Sequence, residues 1–269
     1  HQVVRRQRQM CIRDRIQLTI TDMAMALGLI AIAIGLSAWQ KLGLEWQLLI
    51  ATVRTIVQLI FVGYILAIVF TTKQPWLVIT ILAVMLTIAS VVARNRISQK
   101  IPLLLPLVWS SILTSTTLSI SYTNLLVVKP ELWYEPQYLI PLVEIVLGNG
   151  MNAAAIAGER LVSTINSNPV EIETYLSLGA TPEQAVVKYR KEAIRTALIP
   201  TLNSMMVIGI VTLPGIVTGQ LLSGVNPLDA IAYQMLIMFI LTLANLVTSL
   251  LVTYGLCRQF FNQDAQLNL

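Results

Sequence analysis

Charge is scarce in this sequence. Only 12% of its 269 residues are Asp, Glu, Lys or Arg, while 56% are hydrophobic, and an ordinary soluble domain carries about 25% charged residues. Such a composition excludes a fold that hides its apolar surface in one water-solvated core. Histidine is limited to His1, and the two cysteines, Cys11 and Cys257, lie towards opposite ends. Neither a disulfide framework nor a zinc site can be read from that set. Any metal handled by the chain must therefore meet oxygen or thioether ligands. A G-x-x-x-x-G-K-[ST] phosphate loop is also missing, so any nucleotide triphosphate would have to be bound by another polypeptide. There is no tandem repeat or low-complexity tract, and no serine has a histidine base for covalent chemistry.

The formal charge is +5, but it is concentrated at one end. Arg5, Arg6, Arg8, Arg13 and Arg15 supply five of the 18 basic residues, and without residues 1–15 the chain holds 13 basic against 12 acidic residues. The near-neutral remainder gives no reason to expect nucleic acid as a partner. Residues 1–15 lack the apolar core of a secretory signal. We set them apart as a basic tail.

What is abundant is long apolar sequence. Windows 23–39, 48–70, 76–93, 101–120, 138–156, 197–222 and 230–256 are nearly free of charge, as bilayer-spanning helices require. The expected fold is an all-α integral membrane protein of about seven transmembrane helices in a lipid bilayer. Basic residues are retained on the cytoplasmic side. With the C-terminus inside, cytoplasmic segments carry Lys41, then Arg94, Arg96 and Lys100, then Arg160, Lys188, Arg190, Lys191 and Arg195, and finally Arg258, while outer loops carry only Lys73 and Lys129. An odd number of spans then puts the N-terminus outside. Trp39, Trp46, Trp76, Trp133, Tyr134 and Tyr138 flank the windows as interface anchors.

The one long polar stretch, 158–196, falls between the fifth and sixth windows on the expected cytoplasmic side. Within 168–200 the sequence NPVEIETYLSLGATPEQAVVKYRKEAIRTALIP reads as two helices meeting at Gly179. Glycine suits the left-handed position that closes a helix, and Thr181-x-x-Gln184 with Pro182 opens the next as a capping box. Leu176 and Leu178 beside the turn form an apolar knob suited to docking. An amphipathic helix lying on anionic lipid through Lys188, Arg190, Lys191 and Arg195 is the plainer alternative.

Two membrane stretches carry further signals. LGNGMNAAAIAGERL (147–161) lines up Gly148, Gly150, Ala153, Ala154, Ala155, Ala157 and Gly158 for close helix packing, with the amides of Asn149 and Asn152 at i and i+3. GIVTLPGIVTGQLLSGVNP (209–227) places Pro214 and Gly215 in mid-span, which predicts a kink or hinge with Thr218 and Gln220 near a polar path. Glu144 is a lone carboxylate inside a window, either a functional group or a protonated, hydrogen-bonded bundle residue. Arg54 and Gln58 form a second polar pair, with the guanidinium close enough to the helix end to snorkel. Thioethers of Met151, Met205, Met206 and Met235 could serve a soft ion or merely fill gaps.

ETYLSLGATPEQA looks like the glycine-centred coupling motif of ABC permeases. GNGMNA, LGATPEQA, ALIPTLNSM, GIVTLPGIVTGQ, GVNP and AIAYQ then follow in the order and spacing of one group. From about residue 23 to 260 the chain resembles FetB-type iron-export ABC permeases, which are similar to plant aluminium-tolerance membrane subunits. The chain departs from import-type permeases, because Arg190, Lys191 and Glu192 stand where those have a Leu-Pro pair and Ile199-Pro200 comes later. Glu144 stands where the FetB-type pattern has glycine.

The resemblance implies a permease that exports a metal, iron in the family, driven by a separate ATP-binding subunit that holds ATP and Mg. It implies that Glu173, Leu176, Ser177, Leu178, Gly179, Ala180, Thr181 and Pro182 couple the chain to that subunit. The expected path or hinge comprises Asn149, Asn152, Pro214, Gly215, Thr218, Gln220 and Glu144, in a permease homodimer of the plasma membrane (bacterial inner membrane). Residues 16–262 form one expected permease domain, followed by a C-terminal tail 263–269. A gradient-driven secondary transporter or channel is the rival reading, favoured by inverted repeats, which are not seen. A non-transporting membrane scaffold is the third.

Overall fold

The computed structural model describes residues 19–72, 74–98, 101–128, 132, 134–262 and 266–267. The tail 1–15, Lys73, Lys100, Lys129, Trp133 and most of 263–269 lie outside the described residues. Among those described, nine α-helices follow one another and no strand forms. They are α1 (Ile20–Trp39), α2 (Glu45–Thr72), α3 (Pro75–Ile97), α4 (Leu104–Tyr122), α5 (Pro136–Ser167), α6 (Pro169–Ser177), α7 (Pro182–Val207), α8 (Gly215–Leu222) and α9 (Pro227–Gln259). A π-helical turn, Thr123–Val128, continues α4. Six helices, α1 to α5 and α9, are long and apolar enough to cross a membrane. Helices suit that setting because they satisfy their backbone hydrogen bonds internally, where hydrocarbon offers none.

The expected span 197–222 is not one helix. α7 stops at Val207, and Gly209 takes φ +79, the left-handed region that favours glycine. The N–H groups of Ile210, Val211 and Thr212 then turn back to the Val207 carbonyl at 3.2, 2.9 and 3.4 Å, while Gly209 N–H donates to Thr212 O at 2.9 Å. The helix resumes only after Pro214, as the eight-residue α8. The kink expected at Pro214 is therefore an interruption opened earlier by Gly209, and Pro214 marks the restart. Proline does sit inside two other helices, Pro141 in α5 and Pro200 in α7. Each withholds one ladder donor from the carbonyl four residues earlier.

The chain divides into two compact units. The first holds α1 and α2. α1 opens with a capping box, Thr19 N–H donating to Asp22 Oδ2 at 2.8 Å and Asp22 N–H to Thr19 Oγ1 at 3.4 Å. The turn into α2 uses Lys41 and Gly43 at positive φ, and Ser37 Oγ, buried, donates to Glu45 Oε1 at 3.0 Å. Arg54 and Gln58 are exposed on α2.

In the second unit α5 is the centre, packed by α3, α4, α7 and α9. Its small residues explain why so many helices approach it: Gly150, Ala153, Ala154, Ala155, Ala157 and Gly158 are all buried. A Cβ on Gly158 would come within 2.5 Å of Ile97 Cδ1 on α3, and one on Gly150 would meet Thr248 Oγ1 of α9 at 3.6 Å. Close approach also joins α9 to α4, where a Cβ on Gly255 would lie 2.1 Å from Leu107 Cδ1. Buried hydroxyls reinforce these seams. Ser115 and Thr248 share a hydrogen bond of 2.6 Å between α4 and α9, and Asn245 Nδ2 donates to Thr201 Oγ1 at 2.8 Å between α9 and α7. Interhelical bonds of this kind contribute about 0.6 to 2 kcal/mol each in membranes.

Replacing Gly158 by leucine should overpack the α3–α5 seam at a cost of about 1–3 kcal/mol. Gly148→Ala is the control, since a Cβ there meets nothing within 4 Å. Thermal unfolding in detergent should show a lowered midpoint for G158L alone.

Candidate functional site

The interruption after α7 opens beside α5 and α9, and a cavity of about 610 Å³ lies there. Pro141, Glu144 and Asn149 of α5 line one wall, Pro200, Thr201 and Ser204 of α7 another, and Thr212, Pro214 and Gly215 belong to the interruption and the start of α8. α9 contributes Gln234, Ile237, Met238 and Leu241. The wall-forming positions follow from helical spacing: Glu144 and Ile145 share a face of α5 with Pro141, and Gln234, Ile237, Met238 and Leu241 recur every three or four residues along α9. Both in-helix prolines border this space, which places weakened stretches of α5 and α7 around it.

Among the described residues, Glu144 is the only charged side chain in the lining. Asn149 Nδ2 is occupied by the Ile145 carbonyl at 2.9 Å, leaving its oxygen as the free end of the amide. Gln234 is 7% exposed, and its Oε1 has no hydrogen-bond partner among the described residues. Among the described residues no group of three or more His, Cys, Asp or Glu side chains converges anywhere. The cavity is thus a mostly apolar chamber bordered by one carboxylate and a few neutral polar groups.

Of the sequence-predicted path residues, the structure brings together Glu144, Asn149, Pro214 and Gly215. Gln220 lines an adjoining cavity of about 470 Å³ with Glu135, Tyr138 and Tyr233, separated by the shared wall residues Pro141, Ile145, Ile216 and Ile237. Thr218 faces outward, its hydroxyl donating to Pro214 O at 3.3 Å. Asn152 points elsewhere and accepts from Arg96 Nη1 of α3 at 3.2 Å. Residues at i and i+3 differ by about 60° around a helix, enough for Asn149 and Asn152 to serve different seams. Thr201, Ser204, Gln234 and Met238 were not anticipated at this site. Gln234 lay within the AIAYQ motif, so a polar residue in an apolar window was the available signal.

The second feature is the α6–α7 elbow. α6 ends in a Schellman motif: Ala180 N–H donates to Tyr175 O and Gly179 N–H to Leu176 O, both at 3.0 Å, with Gly179 at φ +88. Thr181 and Gln184 then form the reciprocal capping box of α7, at 2.9 and 3.3 Å, with Pro182 at its first position. Ile172 is fully buried and fixes α6 against its neighbours, whereas Leu176 is only half-buried. Leu178 is 79% exposed, and with Val170 and Tyr175 it makes the outward apolar surface. Glu173 and Ser177 lie exposed on the same short helix, Ser177 Oγ donating to Glu173 O at 2.8 Å. The elbow also adjoins the end of α9, since Thr181, Pro182, Glu183 and Arg190 surround one pocket with Tyr254, Cys257 and Arg258.

Ion pairs tie the elbow down. Arg160 of α5 pairs with Glu192 of α7, and Lys188 Nζ lies 3.4 Å from Glu171 Oε1. Both are solvent-exposed pairs of small individual worth. The nearby Tyr189 hydroxyl, followed by Lys188, holds the Glu171 carboxyl below its ordinary range. Burial, then Glu171, pushes the Tyr189 phenol up to about 12. Among the described residues Tyr189 Oη has no hydrogen-bond partner, so it acts on Glu171 by electrostatic approach and not through a formed bond. Glu171 has a lowered value in the folded state. Its contribution is therefore present above its ordinary value of 4.5 and lost as pH falls through the lowered one. Protection factors of the α6 amides, with exchange corrected for its intrinsic pH dependence, should be constant from neutral pH down to about 4.5 and fall below it, while Glu171→Gln should abolish that fall.

The family model described as an uncharacterised protein family, UPF0014, matches residues 20–261. A UPF0014 membrane protein of Synechocystis is 53% identical over 252 residues, covering 94% of this chain and 97% of that protein. A probable iron export permease, FetB, of Escherichia coli is 33% identical over 251 residues, covering 93% and 95%. ALUMINUM SENSITIVE 3 of Arabidopsis thaliana is 32% identical over 244 residues, covering 91% and 88%. No solved structure matches the chain. With nearly its whole length in register with these membrane proteins, the chain belongs to the UPF0014 family.

Proposed function

We propose that this chain is the membrane-spanning permease subunit of an ABC transporter, exporting a metal ion from the cytoplasm with ATP hydrolysed by a separate subunit. The observation that carries the reading is the elbow. A short helix closed by a Schellman turn presents Leu178 outward while Ile172 anchors it inward. Exposed apolar side chains rigidly held at a turn are the form a mechanical docking contact takes, because a partner buries them without having to order them first. Glu173, Leu176, Ser177, Leu178, Gly179, Ala180, Thr181 and Pro182 are its docking elements, and Leu178, Val170 and Tyr175 are the surface offered.

The excess of basic residues beside this segment supports a cytoplasmic elbow; an outside N-terminus follows when the interrupted α7–α8 stretch is counted as a seventh crossing beside the six long helices, and the plasma membrane is the proposed location. Iron as cargo rests on the name of the Escherichia coli relative, a probable iron export permease. The path comprises Glu144 and Asn149 with the interruption at Pro214 and Gly215. Gln220 lies beyond the shared wall, and Thr218 and Asn152 support the backbone and the α3 seam. Glu144 is exposed in the single chain, and a carboxylate at membrane depth needs protein or water around it. A homodimer that closes two such cavities on one another meets that need. ATP and Mg belong to the partner.

Leu178→Asp tests the reading in proteoliposomes containing this chain and its ATPase partner. Because Leu178 is largely exposed, the substitution should spare folding, checked by elution and thermal midpoint. Metal-stimulated transport should fall by on the order of tenfold or more relative to hydrolysis, the size of effect expected at an anchor residue. Unchanged coupling would remove the docking role. Full transport by the purified chain without an ATPase would remove the ABC assignment.

A further inference from the structure

We propose that the notch between the start of α7 and the end of α9 binds the phosphodiester of an anionic phospholipid, with Arg190 and Arg258 as the guanidinium groups that take its charge. The site is separate from the cavity beside Glu144 and holds whatever cargo the chain carries.

The notch encloses about 440 Å³, with Glu183 and Arg190 of α7 on one side, Tyr254 and Arg258 of α9 on the other, and Phe261 just beyond. Arg258 is held in place from two directions. Its Nη2 donates to Tyr254 Oη, and its guanidinium carbon lies 4.5 Å from the centre of the Tyr254 ring. That bond uses one of five N–H donors and leaves the rest of the fork for a ligand. Among the described residues neither Arg190 nor Arg258 forms an ion pair, whereas Arg160 and Lys188 nearby are each matched to a glutamate. Two guanidinium groups brought into one notch by different helices repel until an anion joins them, and their planar forks match phosphate oxygens.

Charge selects the kind of phosphate. Two arginines and Glu183 give the notch a net charge of +1 among the described residues. A phosphodiester carries a single negative charge and neutralises it. A phosphate with a second ionisable oxygen carries about −1.5 to −2 at pH 7, which overshoots and meets Glu183. That carboxylate lies seven residues before Arg190, about 10 Å along α7 towards the elbow.

Position selects a lipid over a soluble diester. Arg258 follows directly on the apolar run of α9. From Tyr254 the residues Leu250, Leu246 and Leu243 recur every three or four positions, and all four are 36–45% exposed. They form an apolar strip about 17 Å long leading away from the notch. One leaflet of hydrocarbon is about 15 Å deep, half of the roughly 30 Å core. An acyl chain attached to a phosphate at Arg258 therefore has a full leaflet of apolar surface to lie against, and basic pockets between helices at this level are suited to lipid headgroups.

Native mass spectrometry of the purified full chain in detergent tests this, with phosphatidylglycerol, phosphatidylcholine and inorganic phosphate as probes. One phosphatidylglycerol per chain should bind in preference to phosphatidylcholine, with no inorganic phosphate retained at the same concentration. Affinity for phosphatidylglycerol should fall about fivefold or more in R190Q and in R258Q, and rise in E183Q. K191Q removes an exposed charge of α7 outside the notch and should leave binding unchanged. Thermal midpoints without lipid report that each variant is folded. Equal losses in K191Q and R190Q would overturn the proposal, because attraction would then belong to a diffuse basic face. Phosphatidylcholine binding as tightly as phosphatidylglycerol would also overturn it. Inorganic phosphate displacing the lipid at equal concentration would reassign the notch to a soluble anion.

Discussion

Hydrocarbon provides no hydrogen-bond partner, and every other feature of this chain answers to that fact. Continuous helices satisfy it residue by residue, which is why α1 to α5 and α9 run long and unbroken by turns. The stretch between α7 and α8 satisfies it differently. There the Val207 carbonyl gathers three returning N–H groups, and Gly209 exchanges with Thr212, so a non-helical segment closes on itself. Irregular backbone at membrane depth survives only under protein or beside a wet space, and a cavity lies against this one.

The polar side chains of the second unit follow the same rule in two ways. Most hydroxyls return to their own helix: Ser90, Ser249 and Thr253 each donate to the carbonyl four residues earlier at about 2.7 Å. A few cross between helices and set the seams, as Ser115 does with Thr248 and Asn245 with Thr201. What is left over is informative. Glu144 and Gln234 are neither absorbed by their own helices nor bonded across a seam, and they border the same cavity.

The fold class was legible because bilayer length and low charge leave few alternatives, and the elbow was legible because glycine and capping residues carry local, sequence-adjacent signals. Gly179 and Thr181 occupy the positions their chemistry required. The interrupted span was not legible in the same way. Its apolar window reads as continuous, and Pro214 drew attention from Gly209, whose positive φ depends on backbone geometry that hydrophobicity does not encode. The site was half legible for a related reason. Glu144 and Asn149 stand out as polar residues in apolar sequence, but Thr201, Ser204 and Gln234 gain meaning only from which helix faces meet. Asn152 went the other way, since its partner Arg96 lies 56 residues distant in the chain.

α5 holds no proline between Glu144 and Ser167, so over that length it behaves as a stiff rod, pinched tightest where Gly158 meets Ile97. At 1.5 Å per residue Glu144 stands about 21 Å to one side of that pinch and Ser167 about 14 Å to the other. A rod rocking on such a pivot has unequal arms. Any small tilt imposed at the elbow end sweeps the carboxylate through an arc about one and a half times as wide, and in the opposite direction.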